Sequence, residues 1–439
     1  MIIHKIKGLH LKGKRNISLA NGVQEYLNPK YVYIPLTNGV VAYRSVVAVG
    51  DEVLKGQVVA LREDRYAHPI HSAISGKVIG IKKMWHESGK MVETLEIEND
   101  YQEKVVSTWG QSLDLNLLTK EDIVERVKSC GIVGLGGAGF PTFVKYMVPR
   151  KQKLLIVNGV ECEPYLSCDS ISIRRHIDKL IRGIKYVLKA IGAKKCVIAV
   201  KKDKKEVLEV LNKELKKYKQ IDIFKVGNYY PAGWERSIVE KVTKKHYMFL
   251  PSEIGVIVDN VQTIISVCEA VEENKPLIER MITVSGEGIS SPQNFYTKIG
   301  VRSRELIVRS GGYLDEEKEG YMIAGGPMTG KTVLDDSLVV SSTLGGIIVL
   351  DRKEGLKQPC MGCGKCSLAC PAYLVPTEIR KAYEQKDFVA LGKLHTMDCV
   401  KCGLCSYVCP SRVDITYYVS LAKNDLKNYQ SVNNKKGDK

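Results

Sequence analysis

The segment CMGCGKCSLACP (residues 360–371) returns in nearly the same form as CVKCGLCSYVCP (residues 399–410). Each copy has three cysteines at CxxCxxC spacing and a fourth cysteine that is followed by proline. Three thiolates at this spacing hold one iron–sulfur cubane, while the fourth cysteine of such a run ligates the other cluster. The repeat therefore predicts two 4Fe-4S clusters and one-electron transfer.

The expected ligand sets are interleaved between the two motifs. The first cluster is predicted to bind Cys360, Cys363, Cys366 and Cys409, and the second Cys399, Cys402, Cys405 and Cys370. Zinc is the alternative, because CxxC pairs also form tetrahedral zinc sites. Two complete four-cysteine runs that each end in Cys-Pro favour iron and sulfide.

The rest of the composition indicates a large protein of several domains. A chain of 439 residues is too long for one compact core. Eight of the 13 cysteines lie between Cys360 and Cys409, which indicates metal ligands in a reducing compartment and not a secreted disulfide framework. No window approaches the roughly 20 apolar residues of a membrane-spanning helix. We therefore expect a cytoplasmic protein with no signal peptide and no membrane span.

The formal net charge of +17 would suit nucleic acid, an acidic membrane face or an acidic protein partner. Much of the excess lies in lysine runs that lack interleaved aromatic residues, so solvated helix faces are the first interpretation. An acidic electron-transfer partner or a membrane complex comes next, and nucleic acid comes last. The lysines concerned are Lys201, Lys202, Lys204, Lys205, Lys216 and Lys217.

Residues 1–105 carry short alternating runs, VVAVGDEVLKGQVVA and HPIHSAISGKVIGI, which predict a β-rich sandwich. These phrases resemble the lipoyl/biotinyl hammerhead. The hairpin that would present a modifiable lysine reads Arg62-Glu63-Asp64-Arg65-Tyr66, so no swinging arm is expected. His68 and His71 are expected to be polar surface residues and not metal ligands.

Residues 115–275 alternate helical and strand-like segments, which predicts an α/β domain with a mostly parallel sheet and Thr119 as a helix N-cap. Three further regions are predicted after this domain. They are a β-containing module at residues 278–350, the cluster domain at residues 356–422 and a disordered polar tail at residues 423–439. The segment GGPMTGKT (residues 325–332) matches a P-loop pattern, but the β-branched residues after it leave no room for the required helix. ATP hydrolysis is therefore not expected.

Five cysteines lie outside the cluster motifs. Cys130, Cys196 and Cys268 stand in apolar stretches and are expected in the core. Cys162 and Cys168 are interpreted first as buried small residues and second as redox-active thiols.

The loop GLGGAGFPT (residues 134–142) contains GxGxxG, yet it follows a helix-like segment where a dinucleotide fingerprint follows a strand. Closely spaced backbone amides and Lys145 could still hold a phosphate. On this pattern alone, a tight structural turn is an equally good interpretation.

Four motifs in order resemble the electron-entry subunit of respiratory complex I. They are the loop from Gly134 to Lys145, then VNGVECEP, then YYPAGWE, then DNVQT. Within that superfamily the chain is most similar to RnfC, through VNGVECEPYL, GVIVDNVQT, TVSGEG, GGPMTG and the double-cluster run. The resemblance implies a hammerhead-like N-terminal β domain, an α/β flavin/NADH domain, a β-grasp (SLBB-like) module and a two-cluster ferredoxin-like α domain.

The resemblance also implies roles for individual residues. Those carried over to the FMN site are Gly134, Gly136, Gly137, Gly139, Lys145, Asn158, Glu161, Tyr230, Gly233, Asn260 and Thr263. Those expected to face the nicotinamide nucleotide are Phe140, Glu163 and Glu235. Val160 and Asp259 depart from the complex I pattern.

The implied activity is that of an NADH-dependent oxidoreductase, because flavin takes up hydride and releases the single electrons that clusters carry. The implied partners are NAD(H), other redox subunits and ferredoxin, with the protein either free in the cytoplasm or peripheral on the cytoplasmic face of the inner membrane. Three alternatives stay open. One is a soluble RnfC-like protein of the PrdC type that serves a reductase such as proline reductase. The others are a relay without nucleotide binding and a basic nucleic-acid-binding protein.

Overall fold

The computed structural model describes residues 8–112, 117–315, 320–351 and 355–437. The chain forms two compact units. The larger unit consists of residues 13–228 and 233–352, and the smaller of residues 1–12, 229–232 and 353–439. Among the described residues, no helix is both long enough and apolar enough to cross a bilayer.

The larger unit begins with two small antiparallel sheets that share one core. Their elements and the flanking ones are α1 (Asn16–Leu19), β1 (Val23–Tyr26), β2 (Tyr31–Pro35), β3 (Arg44–Ser45), β4 (Glu52–Val53), β5 (Val58–Leu61), β6 (Pro69–His71), β7 (Gly76–His86) and β8 (Lys90–Asn99). One sheet has the order β2-β8-β7-β4 and the other β3-β5-β6. Apolar side chains such as Val32, Val59 and Ile97 are fully buried between them. The alternating runs therefore form the β-rich domain that the sequence predicted.

The α/β part of the larger unit has a parallel sheet of order β11-β10-β9-β12. Its elements are α2 (Lys120–Ser129), α3 (Thr142–Tyr146), β9 (Leu154–Asn158), α4 (Cys168–Arg175), α5 (Ile177–Ile191), β10 (Lys195–Lys201), α6 (Lys205–Glu214), β11 (Ile221–Val226), α7 (Glu235–Thr243), β12 (Val256–Asn260) and α8 (Val261–Glu273). Thr119 caps α2 in a capping box with Asp122, as predicted. Cys130, Cys196 and Cys268 are buried in the core of this part, which confirms their interpretation.

The order of these strands reverses at β9, and the edge of the sheet at the carboxyl ends of β9 and β12 is here called the crevice. From β9 the chain continues to β10 and β11 on one side and then returns to place β12 on the other side of β9. Ligands of open parallel sheets bind outside the carboxyl ends of the strands where the order reverses in this way. The strands that meet there end in Asn158 and Asn260, which are register partners.

The third part of the larger unit is a mixed sheet of order β1-β14-β13-β17-β15-β16. Its further elements are β13 (Glu279–Ser285), β14 (Gln293–Lys298), α9 (Ser303–Arg309), β15 (Gly320–Ala324), β16 (Lys331–Val333) and β17 (Gly346–Asp351). Strand β1 pairs in parallel with β14, so this sheet includes a strand from the first 105 residues. The GGPMTG turn connects the antiparallel strands β15 and β16 directly, and this supports the rejection of a P-loop.

The smaller unit is helical. Its helices are α10 (Lys365–Ala369), α11 (Pro376–Glu384), α12 (Phe388–Lys393), α13 (Leu404–Tyr407) and α14 (Ile415–Gly437). The expectation of a disordered tail from residue 423 was wrong for residues 423–437, which continue α14. Ala422 and Leu426 are buried in the core of the unit, and the Tyr429 ring stacks on Phe388 with centroids 4.8 Å apart. Apolar contacts therefore hold the helix in place despite its polar composition.

Candidate functional site

The glycine-rich loop lies beside the crevice at the ends of β9 and β12. The Gly134 amide donates to the Phe140 carbonyl oxygen at 2.9 Å, and the Gly139 amide donates back to Gly134 at 3.1 Å. The amide of Leu135 donates to the hydroxyl of buried Thr263 in α8 at 2.9 Å, which anchors the loop to that helix. Residues 136–138 between these anchors are exposed to solvent. The loop thus presents bare backbone to whatever enters the crevice.

Two glycines of the loop occupy positions where a side chain would be unfavourable, each for a different reason. A Cβ on Gly136 would lie 3.2 Å from the Cβ of Asn260, so the loop passes close to the end of β12. Gly137 has φ +99° and no atom within 4 Å of a built Cβ, so it combines left-handed backbone with open space. A side chain there would project into that space. This geometry suits a flat ligand with a phosphate.

The two asparagines at the strand ends are fixed by hydrogen bonds. Asn158 donates from Nδ2 to the Gly233 carbonyl oxygen at 3.0 Å and accepts from the Val160 amide at 3.1 Å. The Asn260 Oδ1 caps α8 by accepting from the Gln262 amide at 2.8 Å. Its Nδ2 donates to Asp169 at 2.8 Å. The structure brings Asn158, Gly233, Asn260 and the loop together, as the sequence predicted.

Glu161 is saturated by groups of the chain itself. Its carboxylate accepts from the Asp169 amide at 2.7 Å, from the Ser170 hydroxyl at 2.7 Å and from Lys204 Nζ at 2.8 Å. Burial would raise the pKa of Glu161, but Lys204 and then Arg15 outweigh it and the pKa is lowered. Its φ of +43° lies in the left-handed region, so the side chain serves to hold an unusual backbone turn.

Asp169 is the most informative residue that the sequence did not reveal. Its fully buried carboxylate accepts from Asn260 at 2.8 Å and from Gln262 Nε2 at 3.0 Å. Burial and then the charge of Glu161 raise the pKa of Asp169 to about 6. Glu161, Cys168 and Asp169 bring possible metal-binding atoms within 4.8 Å of one another. The hydrogen bonds to both carboxylates identify this group as a structural network under the crevice.

Two lysines of the run around residue 203 differ from the prediction of a solvated helix face. Lys201 is the last residue of β10 and only 3% exposed, and burial lowers the pKa of its ammonium to about 8. Lys204 forms a buried ion pair with Glu161. The other four lysines are exposed, as predicted: Lys202, Lys205, Lys216 and Lys217.

Lys145 also has a partner within the chain. Its Nζ donates to the Val258 carbonyl oxygen at 2.8 Å and to Asp259 at 3.0 Å, and Asp259 accepts from the Tyr146 hydroxyl at 2.9 Å. Burial lowers the pKa of Lys145, yet the Asp259 charge outweighs it and the pKa is raised. Glu235 lies near this pair at the start of α7, where burial raises its pKa. The side chain of Lys145 is thus tied to the end of β12.

The side chain of Glu163 contacts the turn at residues 325–332, which matched a P-loop pattern. Its carboxylate accepts from the Met328 amide at 3.0 Å and the Thr329 hydroxyl at 2.6 Å. A Cβ on Gly326 would lie 2.4 Å from Glu163 Cδ, so glycine there is required for the contact. Burial raises the pKa of Glu163. The hydrogen-bond donors of this turn are therefore used by a carboxyl group of the same chain.

Phe140 and Tyr230, the remaining two residues predicted to bind the cofactors, have aromatic side chains that contact other parts of the chain. Phe140 is half-buried, and its ring meets the Tyr66 ring edge to face with centroids 5.4 Å apart. Tyr230 belongs to the smaller unit, where its buried hydroxyl donates to the Cys402 carbonyl oxygen at 2.7 Å. The structure therefore places Tyr230 beside a predicted cluster ligand.

His68, His71 and Cys162 complete the residues singled out from the sequence. The prediction of surface histidines was wrong, since His68 and His71 are 4% and 6% exposed. Burial lowers the pKa of His71 to about 4, so the ring is neutral near pH 7. Cys168 is buried and Cys162 half-buried, and burial raises the pKa of both thiols. Neither cysteine is in the state of a reactive thiolate.

The cluster cysteines follow a repeated local pattern in the smaller unit. Each CxxCxxC run enters a short helix, α10 or α13, through a glycine in left-handed conformation, Gly364 or Gly403. Burial raises the pKa of the Cys402 thiol to about 12, and the neighbouring thiols of Cys405, Cys370 and Cys399 add to this effect. Cys370 thus lies among the cysteines of the other motif, as interleaved ligation requires.

Several groups around the second set of cysteines could tune a bound cluster. The Lys401 amide donates to Cys399 Sγ at 3.4 Å, and the Thr416 hydroxyl lies 3.1 Å from Cys405 Sγ. Lys423 donates to the Cys399 carbonyl oxygen at 2.7 Å. Hydrogen bonds to the sulfurs and nearby charge set cluster potential. The cysteine spacing gave no indication of Thr416 or Lys423.

Comparison with known proteins gives three matched regions. Residues 4–102 match the RnfC barrel sandwich hybrid domain, residues 127–269 the Nuo51 FMN-binding domain, and residues 359–413 a 4Fe-4S dicluster domain. The chain is 32% identical to a subunit of the Na⁺-translocating ferredoxin:NAD⁺ oxidoreductase complex of Acetobacterium woodii, with 82% of each protein covered. The chain belongs to the RnfC family.

A second sequence relative agrees with this assignment. A subunit of the ion-translocating oxidoreductase complex of Rhodobacter capsulatus is 33% identical, with 97% of this chain and 83% of that protein covered. An NAD⁺-reducing NiFe hydrogenase in its H2-reduced state is 18% identical, with a TM-score of 0.48 over 70% of this chain and 60% of its own. The resemblance seen in the motifs is confirmed by the sequence relatives.

As an RnfC-family member, the chain is an electron-transfer component of an oxidoreductase. It combines a barrel-sandwich domain, an FMN-binding domain of the Nuo51 type and a C-terminal 4Fe-4S domain. The FMN-binding match spans both the glycine-rich loop and the crevice at Asn158 and Asn260. The bare loop and the four grouped thiols are chemically suited to these two cofactor types.

Proposed function

We propose that this chain passes electrons between NAD(H) and two 4Fe-4S clusters through FMN, as the RnfC-type subunit of an ion-translocating ferredoxin:NAD⁺ oxidoreductase. The observation that carries the proposal is the exposed glycine-rich loop at the strand-order reversal, on a chain that also has the paired cysteine runs. Bound FMN would supply the exchange between hydride and single electrons that NAD(H) and the clusters need.

The residues of the larger unit divide into two groups in this proposal. The loop from Gly134 to Gly139 offers amides and open space, and Asn158, Gly233 and Asn260 line the crevice beside it. Glu161, Lys145 and Thr263 hold the backbone of the site through internal hydrogen bonds. Glu163 and Glu235, which are expected to face the nicotinamide nucleotide, are two carboxyl groups whose pKa is raised by burial.

The eight motif cysteines would bind the clusters in the interleaved sets given above. Burial raises the pKa of the Cys402 and Cys405 thiols, so a bound cluster would have to displace their protons to bind these residues as thiolates. Tyr230 would act on the second cluster through the Cys402 carbonyl. Through this contact it would influence the potential of the cluster.

The wider organisation follows from the family. We propose that other redox subunits of an Rnf-type complex bind this chain, with ferredoxin as an electron source or acceptor, at the cytoplasmic face of the membrane. Two relatives that are 32% and 33% identical are named as subunits of ion-translocating oxidoreductase complexes. Within the chain, residues 1–105, 115–275, 278–350 and 356–422 would act as hammerhead-like, flavin, SLBB-like β-grasp and cluster domains. Strand β1, which comes from the first of these domains, pairs with β14 of the third domain and so connects the two.

FMN binding is tested by a matched pair of glycine variants. Gly137 and Gly50 both have strongly positive φ, +99° and +104°, and neither has an atom within 4 Å of a built Cβ. Gly137→Val and Gly50→Val therefore carry similar backbone strain, but only the first adds a side chain to the loop. We expect Gly137→Val to weaken FMN binding at least about tenfold, because a side chain there blocks close approach of the flavin to the backbone.

The measurement is FMN fluorescence quenching during anaerobic titration of each variant, followed by addition of NADH. Gly50→Val should match the wild type in affinity and in bleaching of the bound flavin by NADH. Equal FMN affinity in both variants would show that the flavin does not use this loop. A wild-type protein that binds no FMN would overturn the proposed function.

A further inference from the structure

Residues 355–365, which carry the first two predicted ligands of the first cluster, lie on an uncovered part of the smaller unit. We call these residues the first-cluster surface. Every one of them is exposed, including the ligands Cys360 and Cys363. Gly362 and Gly364 both have φ +71°, and within the described part of the chain no atom lies within 4 Å of a Cβ built on either. Bare backbone and two exposed thiols therefore face the solvent here.

The second cysteine motif has the same spacing but is covered by the chain itself. Its ligands Cys399, Cys402 and Cys405 are each half-buried. Leu404, which follows the left-handed glycine of this motif, is fully buried, whereas Lys365 at the same position of the first motif is exposed. Helix α14 packs against α13, the short helix of the second motif. Two copies of one motif thus differ in exposure, and the first is the open one.

The side chains of the first-cluster surface combine positive charge with apolar contact area. Its charged residues are Lys357 and Lys365, and it contains no acidic residue. Lys357 pairs with the exposed carboxylate of Asp414, while Lys365 forms no ion pair with a carboxylate of the described residues. Leu356 and Met361 are 84% and 67% exposed. Uncompensated charge and exposed apolar side chains around functional thiols are typical of a surface that binds a partner.

We propose that the first-cluster surface binds a small redox protein whose electron-transfer centre is surrounded by acidic residues. The lysines and the net charge of +17 attract such a partner, and the two glycines let it approach the cluster closely. A short segment suffices, because electron-transfer encounters bury little surface. Each encounter transfers one electron, with no bond made or broken. This inference rests on the proposed function, in which NAD(H) and FMN supply or accept those electrons.

The test measures the Kd of an acidic two-cluster ferredoxin for the FMN-loaded protein with both clusters, by anaerobic calorimetry at low and high salt. Lys365→Glu should raise this Kd at least about tenfold, because it places like charges opposite each other. High salt should weaken ferredoxin binding more in the wild type than in Lys365→Glu, since the variant has less attraction to screen. Met361→Ser should raise the Kd about fivefold, through loss of an apolar contact.

Lys216→Glu and Tyr407→Ser are the matched controls. Lys216 is an exposed lysine of the larger unit, so its variant changes the net charge as much as Lys365→Glu does. Tyr407 is 59% exposed and stands in the second motif, so its variant removes a similar apolar side chain outside the first-cluster surface. Both control variants should bind ferredoxin as the wild type does.

Iron content and flavin bleaching by NADH, measured on every variant, separate failure of this inference from failure of the proposed function. A wild type that binds no ferredoxin, or equal losses of affinity in the variants and their controls, would overturn the inference while NADH still bleaches the flavin.

A membrane is the other surface that could attract these lysines. If Lys365→Glu abolished binding to vesicles of anionic phospholipid and left ferredoxin affinity unchanged, the surface would belong to a membrane and the inference would be overturned. A variant that had lost iron would be recognised as damaged, and Met361→Ser would then test the same surface independently. Failure of NADH to bleach the flavin of the wild type would overturn the proposed function, whatever the ferredoxin affinity.

Discussion

Cys370→Ser is expected to remove the cluster bound by Cys399, Cys402 and Cys405, and to spare the cluster of its own motif. The Cys370 thiol lies among those three thiols, where it contributes to the raised pKa of Cys402. Serine does not replace a thiolate as a cubane ligand, so iron and sulfide should fall from about eight to about four atoms each per chain. Metal and acid-labile sulfide analysis of anaerobically purified protein measures this directly.

Double variants make the interleaving testable. Adding Cys402→Ser to Cys370→Ser should cost no further iron, because both changes act on one cluster. Adding Cys363→Ser to Cys370→Ser should instead remove the first cluster as well, because changes at independent sites have additive effects. The reverse pattern, with Cys370 and Cys363 behaving as one unit, would contradict the interleaved ligand sets.

Glu161→Ala is expected to destabilise the larger unit by about 3–5 kcal/mol, the range for breaking a buried ion pair by removing one partner. Its side chain is 3% exposed and that of Lys204 is 9% exposed, so the variant leaves an ammonium buried without its counter-charge. The Asp169 amide and Ser170 hydroxyl lose their acceptor as well. Because Asp169 positions Asn260, FMN affinity should fall together with stability. Urea unfolding followed by circular dichroism measures the stability change.

Glu206→Ala is the control for this variant. Glu206 pairs with Arg174, but the two side chains are 68% and 40% exposed. Exposed ion pairs contribute about 0–1 kcal/mol, so the unfolding curve should barely move. Similar unfolding free energies for the two variants would mean that Glu161 does not support the crevice in the way described.

Much of the molecule could be predicted because its signals are local. The cysteine spacing, the Thr119 capping box and the alternation of helices and strands each depend on a few neighbouring residues. The C-terminal part of α14 was not predicted, although Ile415, Val419, Ala422 and Leu426 recur at helical spacing. Polar composition after residue 423 obscured that pattern.

The features that escaped prediction depend on distant partners. Strand β1 pairs with β14 across about 270 residues, and no local pattern encodes this choice. Lys201 and Lys204 occur in an ordinary lysine run, but strand β10 directs one into the protein and Glu161 neutralises the other. The motif match placed Tyr230 at the flavin, whereas its hydroxyl contacts Cys402.

The glycine-rich loop has an ambiguous sequence pattern but a well-defined position in the structure. Its GxGxxG pattern was ambiguous because it follows a helix and not a strand. The structure places the loop against Asn260 and Thr263, beside the point where the strand order reverses, and this position favours the hypothesis of a phosphate-binding loop. The GGPMTG turn, which matched a P-loop pattern, instead donates hydrogen bonds to the Glu163 carboxyl group.

The most direct test of electron flow through this chain starts from protein whose clusters have been reduced photochemically. It is then mixed with NAD⁺ under anaerobic conditions, once with FMN bound and once after FMN removal. Cluster absorbance should return and NADH should form only in the FMN-loaded sample. Reoxidation of the clusters by NAD⁺ at the same rate without flavin, or reduced clusters that persist beside bound flavin and NAD⁺, would contradict the account.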